Sequence, residues 1–332
     1  MTAVAVLGAG SWGTTLADLL ARKGEVVRIW AYEAEVVEAI NRRHENPLFL
    51  PGAALDHRLR AYADPVETAA GADVVLSAAP SHVVRQVVQR VAGAVRSGTL
   101  VVSATKGIEQ DSLKLMSEVL RETLPAARVA VLSGPSFAIE VYQQQPTAVV
   151  SAAGERGTAE DVQRVFATPR FRVYWSLDVV GVELAGSVKN VIAIAAGILE
   201  GLGLGNNPRA ALVTRGLAEI TRLGTAMGAD PLTFAGLAGM GDLILTTTGA
   251  LSRNRALGMA LAQGETLAGY TAGHRTVAEG VTTATAVVAL ARRVGVELPI
   301  CEQVHQILFH GKPPKQAVAE LMERTLKPEQ WR

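Results

Sequence analysis

The chain has 332 residues, enough for two domains of about 150 residues each, and carries 32 Lys and Arg against 31 Asp and Glu, a formal charge of +1. That balance supplies no extended field of one sign, which argues against a nucleic acid or an anionic membrane surface as partner. With 49% apolar and 19% charged residues the chain is not composed like a disordered one.

Short β-branched runs alternate with helical patterns through the first half, as expected of a parallel sheet covered by helices. Residues 4–7, 26–30, 74–77, 100–104 and 129–133 read as strands. Between the first two, Leu16, Leu19, Leu20 and Lys23 continue a helix that Gly24 should end. From about Gly181 alanine- and leucine-rich stretches take over, and Val213, Leu217, Ile220, Leu223 and Met227 recur at helical steps as one apolar face. Here Asn207 before Pro208 reads as a helix cap with a first-turn proline, and Gly228 closes the same helix. Thr282 reads as the cap of a helix running to Val294 before Gly295, and Pro313 and Pro314 open a last helix carrying Val318, Leu321 and Met322. Residues 200–207, with three glycines, read as a flexible turn.

Cys301 is the only cysteine, so neither an internal disulfide nor a thiolate metal cluster is expected, which fits a reducing, cytoplasmic setting. The first ten residues carry no Lys or Arg for a secretory signal. The longest apolar run, residues 191–199, falls short of the roughly 18 residues of a spanning helix. A soluble protein follows. The histidines His44, His57, His82, His274, His305 and His310 are scattered without metal-ligand spacing.

The strongest local signal is Gly8-Ala9-Gly10-Ser11-Trp12-Gly13, between a predicted strand and a predicted helix. In that context it is a dinucleotide fingerprint: Gly8 permits the tight turn, Gly10 lets backbone approach a pyrophosphate, and Gly13 allows close packing of helix on strand. Glu33 lies 20 residues beyond Gly13, where an acid accepts from a ribose 2′-hydroxyl and leans toward NAD. Arg28, Arg42 and Arg43 are the nearby cations that would instead suit a 2′-phosphate.

Lys106 follows a predicted strand, at the end where open α/β sheets bind ligands. Ser133-Gly134-Pro135-Ser136 ends the next strand with hydroxyls and N–H groups, but lacks the second glycine of a nucleophile elbow. Lys189 and Asn190 stand in an otherwise apolar helix. Such a lysine either snorkels to solvent or, beside a substrate, acts as general acid or base. Asp242, Thr246 and Ser252-Arg253-Asn254-Arg255 make a polar cluster that reads either as a solvated loop or as a grip on a phosphate.

Taken in order, GAGSWGTTLA from Gly8, ATKGIE from Ala104, SGPSFAIE from Ser133, VKNVIAI from Val188, TRGLAE from Thr214, AGMGDL from Ala238, SRNR from Ser252 and VAEG from Val277 resemble the NAD(P)-dependent glycerol-3-phosphate dehydrogenases of bacterial type over essentially the whole chain. The resemblance implies an α/β N-terminal Rossmann domain with a mostly parallel sheet (residues 1–180) and an all-α C-terminal domain (181–332), with the active site between them. It implies interconversion of dihydroxyacetone phosphate and sn-glycerol 3-phosphate for glycerophospholipid synthesis, with NAD or NADP, by a cytoplasmic homodimer. Lys189 would be the proton donor and acceptor, with Lys106, Asn190, Asp242 and Thr246 ordering the site. Gly134, Ser136, Ser252, Arg253 and Asn254 would meet the substrate beside Lys106, Lys189 and Asp242. Ser11, Trp12, Tyr32, Glu33, Ala138, Val277 and Glu279 would meet the cofactor, with Lys106 and Arg253 near both ligands. Members using NADPH tend to carry a basic residue where Tyr32 and Glu33 stand, and a basic residue is common where Ile139 stands. The alternatives are a related dehydrogenase of another hydroxy acid or sugar phosphate, and a non-catalytic dinucleotide sensor.

Overall fold

The structure, a computed structural model, describes residues 1–273, 278–326, 328 and 329. Its strands are β1 (Ala3–Leu7), β2 (Val26–Trp30), β3 (Glu45–Asn46), β4 (Leu50–Ala54), β5 (Arg60–Tyr62), β6 (Val74–Ser77), β7 (Leu100–Ser103), β8 (Arg128–Ser133), β9 (Thr147–Ala153) and β10 (Phe171–Ser176). Eight form one sheet in the order β10-β9-β8-β7-β6-β1-β2-β5, and β3 and β4 make a hairpin. Neighbours in the sheet run parallel except β8 and β9. The five strands read from the sequence are present within one residue of their expected bounds; β3, β4, β5, β9 and β10 are additions, and β9 makes the sheet mixed.

Both sheet faces are buried, and alternate residues serve each: Val4, Val6, Leu76 and Val102 enter one core while Ala5, Leu7, Val75 and Val101 enter the other. Each such Val or Leu contributes about 1.5–3 kcal/mol. The chain leaves β1 toward β2 and β5 and returns on the other side at β6. The switch point therefore opens a crevice beyond the carboxyl ends of β1 and β6.

Helices α1 (Ser11–Lys23), α2 (Ala34–Arg43), α3 (Pro65–Ala69), α4 (Val84–Val91), α5 (Met116–Thr123), α6 (Ala138–Tyr142) and α7 (Arg156–Phe166) belong to this half. The rest is helical: α8 (Val179–Gly201), α9 (Asn206–Ala226), α10 (Pro231–Phe234), a π-helical turn (Leu237–Gly241), α11 (Asp242–Thr248), α12 (Arg253–Ala262), α13 (Leu267–Gly273), α14 (Glu279–Val294), α15 (Pro299–His310) and α16 (Pro314–Met322). Helix α8 is the axle of this half, touching α9, α11, α12, α14 and α15. It also corrects the reading of the apolar runs, because at 23 residues it is long and apolar enough to cross a membrane by length and composition. It is a core helix, with 94% of its most apolar window buried inside the fold.

Gly24, Gly228 and Gly295 end α1, α9 and α14 in left-handed conformations, as expected. The expected starts are less accurate. Asn207 does not cap α9, which begins at Asn206 after Gly205, and Thr282 lies inside α14, its hydroxyl donating to Glu279 O at 3.1 Å. The turn expected over residues 200–207 is shorter, because α8 continues through Gly201. In α16, Val318 and Leu321 pack on the core while Met322 is 80% exposed.

Candidate functional site

The glycine turn leading into α1 sits at the sheet's switch point, and its three glycines differ physically. A Cβ on Gly8 (φ +121°) would stand 2.7 Å from Ala79 N, and one on Gly13 would stand 2.0 Å from Gly8 O. Around Gly10 a Cβ would meet nothing within 4 Å. Two glycines are thus required by contact, while the third leaves bare backbone beside the start of α1. That start has no side-chain cap, so first-turn N–H groups remain for an anion. Trp12, beside it, has a buried indole N–H with no hydrogen-bond partner among the described residues. These features fit a dinucleotide pyrophosphate.

Beyond the turn lies a cleft of about 450 Å³ between the sheet and the helical half. From the sheet side Lys106 follows β7; from the other side Lys189 enters at the middle of α8, 5% exposed. Asp242 joins them. Its Oδ2 accepts from Lys106 Nζ at 2.6 Å and its Oδ1 accepts from Lys189 Nζ, while Lys189 also donates to Thr246 Oγ1 at 2.7 Å. Asp242 is fully buried and starts α11 directly after the π-helical turn, a local widening that often re-aims a functional side chain. That turn packs tightly, since a Cβ on Gly239 would stand 2.1 Å from Phe234 O.

Burial lowers the Lys189 pKa to about 7; Asp242 pulls it back up and Lys106 adds to the lowering. An ammonium in this position is populated near neutrality and can also be lost there, which suits a group that both gives and takes a proton. The snorkelling alternative does not apply, because Nζ is held inside. Glu279 has its pKa raised by burial, opposed by Arg253 and the two lysines.

The remaining wall comes from the start of α12. Ser252, Arg253 and Asn254 line the cleft with Asn190, Thr246 and Glu279. Arg253 is exposed, with no hydrogen bond or ion pair among the described residues. Asn254 donates to Asn190 Oδ1 at 3.0 Å and accepts from Gly280 N at 2.9 Å. Ser252 Oγ accepts from Arg255 N at 3.2 Å, capping α12. On the sheet side Gly134 O accepts from Lys106 Nζ at 3.1 Å and from Ser136 Oγ at 3.0 Å.

The cleft therefore gathers Ser11, Trp12, Lys106, Ser136, Ala138, Lys189, Asn190, Thr246, Ser252, Arg253, Asn254 and Glu279, which lie far apart in sequence. Asp242 and Gly134 stand behind them through their bonds to the lysines. Tyr32 and Glu33 are not in its lining; they follow β2, Tyr32 85% exposed and Glu33 immediately before α2. Val277 lies outside the described residues. Sequence reading missed Phe49, Leu50 and Pro51 of the β3–β4 hairpin on the cleft wall, and gave no role to Phe137, which joins them there from within the SGPSFAIE segment. The hairpin residues are apolar, and prolines are their only trace in the sequence. A second cavity of about 380 Å³ under α9, α15 and α16 holds none of these groups.

Comparison with known proteins agrees with this geometry. Residues 3–159 match the family model for the NAD-dependent glycerol-3-phosphate dehydrogenase N-terminus, and residues 178–319 match that for its C-terminus. The glycerol-3-phosphate dehydrogenase [NAD(P)+] of Geobacter sulfurreducens is 57% identical over 331 residues, covering 99% of each chain. The crystal structure of a glycerol-3-phosphate dehydrogenase from Coxiella burnetii superposes with a TM-score of 0.94 at 42% identity, covering 97% of this chain and 99% of that one. The yeast enzyme of that name, from Saccharomyces cerevisiae, gives 0.82 at 29% identity over 98% of this chain and 99% of its own. The chain belongs to the NAD-dependent glycerol-3-phosphate dehydrogenase family.

Proposed function

We propose that this chain reduces dihydroxyacetone phosphate to sn-glycerol 3-phosphate and catalyses the reverse oxidation, with Lys189 as proton donor and acceptor. The observation that carries this reading is the buried Lys189–Asp242–Lys106 arrangement opening on the same cleft as the glycine turn. A nicotinamide dinucleotide, once held at the glycine turn, would supply the hydride in reduction and take it in oxidation. As the carbonyl carbon accepts hydride, negative charge develops on oxygen; the Lys189 ammonium stabilises it and delivers the proton. In oxidation the neutral amine takes the hydroxyl proton. Asp242 holds both cations in place, and Thr246 fixes a second hydrogen of Lys189, since its own hydroxyl donates to Asp242 O at 2.7 Å. The substrate phosphate would meet Arg253, with Asn254, Ser252 and the Ser133–Ser136 turn around it, because among the described residues Arg253 is the cleft cation not bound to a carboxylate.

On this reading residues 1–180 hold the cofactor and 181–332 complete the substrate site, consistent with β10 ending at Ser176 and α8 starting at Val179. The product suits glycerophospholipid synthesis. A cytoplasmic homodimer is the working form we infer, in keeping with the free and buried Cys301. The test is loss of reduced-nicotinamide absorbance when purified protein meets dihydroxyacetone phosphate, with NADH and NADPH in parallel. Turnover is expected; no oxidation with either cofactor removes the reading.

A further inference from the structure

We propose that Arg255 and Glu200 form a positioning pair that sets where Arg253 and Asn254 stand relative to Lys189, and so tunes affinity for the phosphorylated substrate without touching it. The inference rests on the function proposed above and concerns residues given no role there.

The SRNR segment contains two arginines two positions apart, which cannot share a helix face. The fold separates their tasks. Arg253 lines the cleft; Arg255 does not. The Arg255 side chain, 15% exposed, donates from Nε to Glu200 Oε2 at 2.8 Å and from one terminal nitrogen to Glu200 Oε1 at 2.5 Å. Its other terminal nitrogen donates to Gly249 O at 3.4 Å. This is the two-pronged match of a guanidinium to a carboxylate, and it uses every nitrogen of the group. Arg255 is thus committed to Glu200 and stands outside the cleft lining.

Glu200 stands near the end of α8, about three turns beyond Lys189, so the pair ties the far end of the lysine's own helix to the first turn of α12. Between them the helices meet backbone to backbone. A Cβ on Gly197 would stand 2.0 Å from Arg255 O, and one on Gly258 would stand 2.1 Å from Ile194 O. Glycines at a crossing fix how near two helices come, but they offer no ridge to fix slide or rotation. The bidentate ion pair supplies that register. At the cleft end the register is read out by Asn254, which bridges Asn190 and Gly280 beside Lys189. The Gly249 carbonyl extends the link to the sheet side, since a Cβ on Gly249 would lie 2.5 Å from a Phe137 ring carbon.

The test compares the wild type with Arg255→Lys and Glu200→Gln; because Glu200 Oε2 also lies 3.6 Å from an Arg209 nitrogen, Arg255→Lys is the variant that changes the Arg255 side of the pair alone. Steady-state KM and kcat for dihydroxyacetone phosphate, NADH affinity by fluorescence, and Tm are measured on each. Glu200→Gln is expected to raise KM about tenfold or more, with kcat within about threefold and NADH affinity unchanged. Arg255→Lys keeps the charge but loses the fork; as the mildest variant it must raise KM at least about threefold by itself. A fall in Tm with KM unchanged in both single variants makes the pair merely structural and overturns the proposal, as does a fall in kcat with KM unchanged. Absence of wild-type turnover is a separate result: it defeats the proposed function before any variant is compared.

Discussion

Asp242→Asn tests the core of the proposed chemistry. The wild-type carboxylate lies fully buried between two ammonium groups, accepting from Lys189 on one oxygen and from Lys106 on the other. Asparagine keeps the shape but presents an NH₂ group to one of two cations and removes the charge both depend on. Stranding a buried charge by deleting its partner costs about 3–5 kcal/mol. At about 1.4 kcal/mol per tenfold, the protonated fraction of Lys189 at neutral pH falls on the order of 10²–10³. In the wild type that fraction is near one half, because burial has already lowered the Lys189 pKa to about 7. The rate of ketone reduction at saturating substrate should drop by about the same factor. The assay is kcat for dihydroxyacetone phosphate reduction between about pH 5 and 9. In the wild type it should fall as pH rises through about 7, and in the variant the fall should move to the acid side. Simple loss of active protein lowers the plateau without moving the limb. A variant with kcat within about threefold of wild type and an unmoved limb refutes the reasoning.

Lys189→Ala should retain NADH affinity while losing at least about 10²-fold in turnover; wild-type-like turnover removes Lys189 from its role. Cofactor choice has a structural prediction as well. Arg28 donates to Glu67 O and Ala70 O, Arg42 pairs with Glu38 and Arg43 with Glu45, which leaves Glu33 as the residue on which the cofactor prediction rests. NADH should bind more tightly than NADPH, and Glu33→Arg should move the ratio of dissociation constants about tenfold toward NADPH; an unchanged ratio counts against Glu33 as the selector. Two buried carboxylates outside the cleft give a stability prediction. Glu183 accepts from Ser117 N and Oγ, and Glu219 from Ile300 N and Cys301 N. Burial raises each to about 7, so the folded state keeps protons that the unfolded chain releases above about 4.5. Their favourable linkage is complete below about 4.5 and lost as pH rises through about 7. The wild-type unfolding free energy should therefore decline between pH 5 and 8 more steeply than that of Glu183→Gln with Glu219→Gln, by up to about 3 kcal/mol per site. Parallel pH profiles would dismiss these two groups.

Helix ends show what the sequence could and could not disclose. Gly24, Gly228 and Gly295 are legible because a left-handed residue after a helix has a local steric cause that glycine relieves. Helix starts are less legible because their N–H groups can donate to acceptors anywhere in the fold. Glu219 of α9 serves the start of α15, and Glu183 of α8 serves α5, 66 residues away. No window of neighbouring residues contains such a pair. The same division runs through the cleft. The glycine turn is a local necessity and reads plainly, and Lys106 follows a recognisable strand. The Phe49–Pro51 wall depends on where a short hairpin folds, and apolar side chains there carry no chemical mark. The strand β9, TAVVSAA, alternates too weakly to stand out, and its antiparallel course follows from tertiary pairing.

Helix α8 joins these strands of argument. By hydropathy it could cross a membrane, yet it carries Glu183, Lys189 and Asn190 at buried positions. In lipid those residues would each need a partner; inside this fold each has one, in Ser117, Asp242 and Asn254. The apolar remainder of the helix is what brings Lys189 out of water and lowers its proton affinity to the neutral range, and Asp242 limits how far it falls. An α8 with more polar faces would pack less deeply, return Lys189 toward ordinary lysine behaviour and leave it a poor base at pH 7. The hydropathy that makes α8 look like a membrane segment is thus the physical condition for a lysine able to serve in both directions of the proposed reaction.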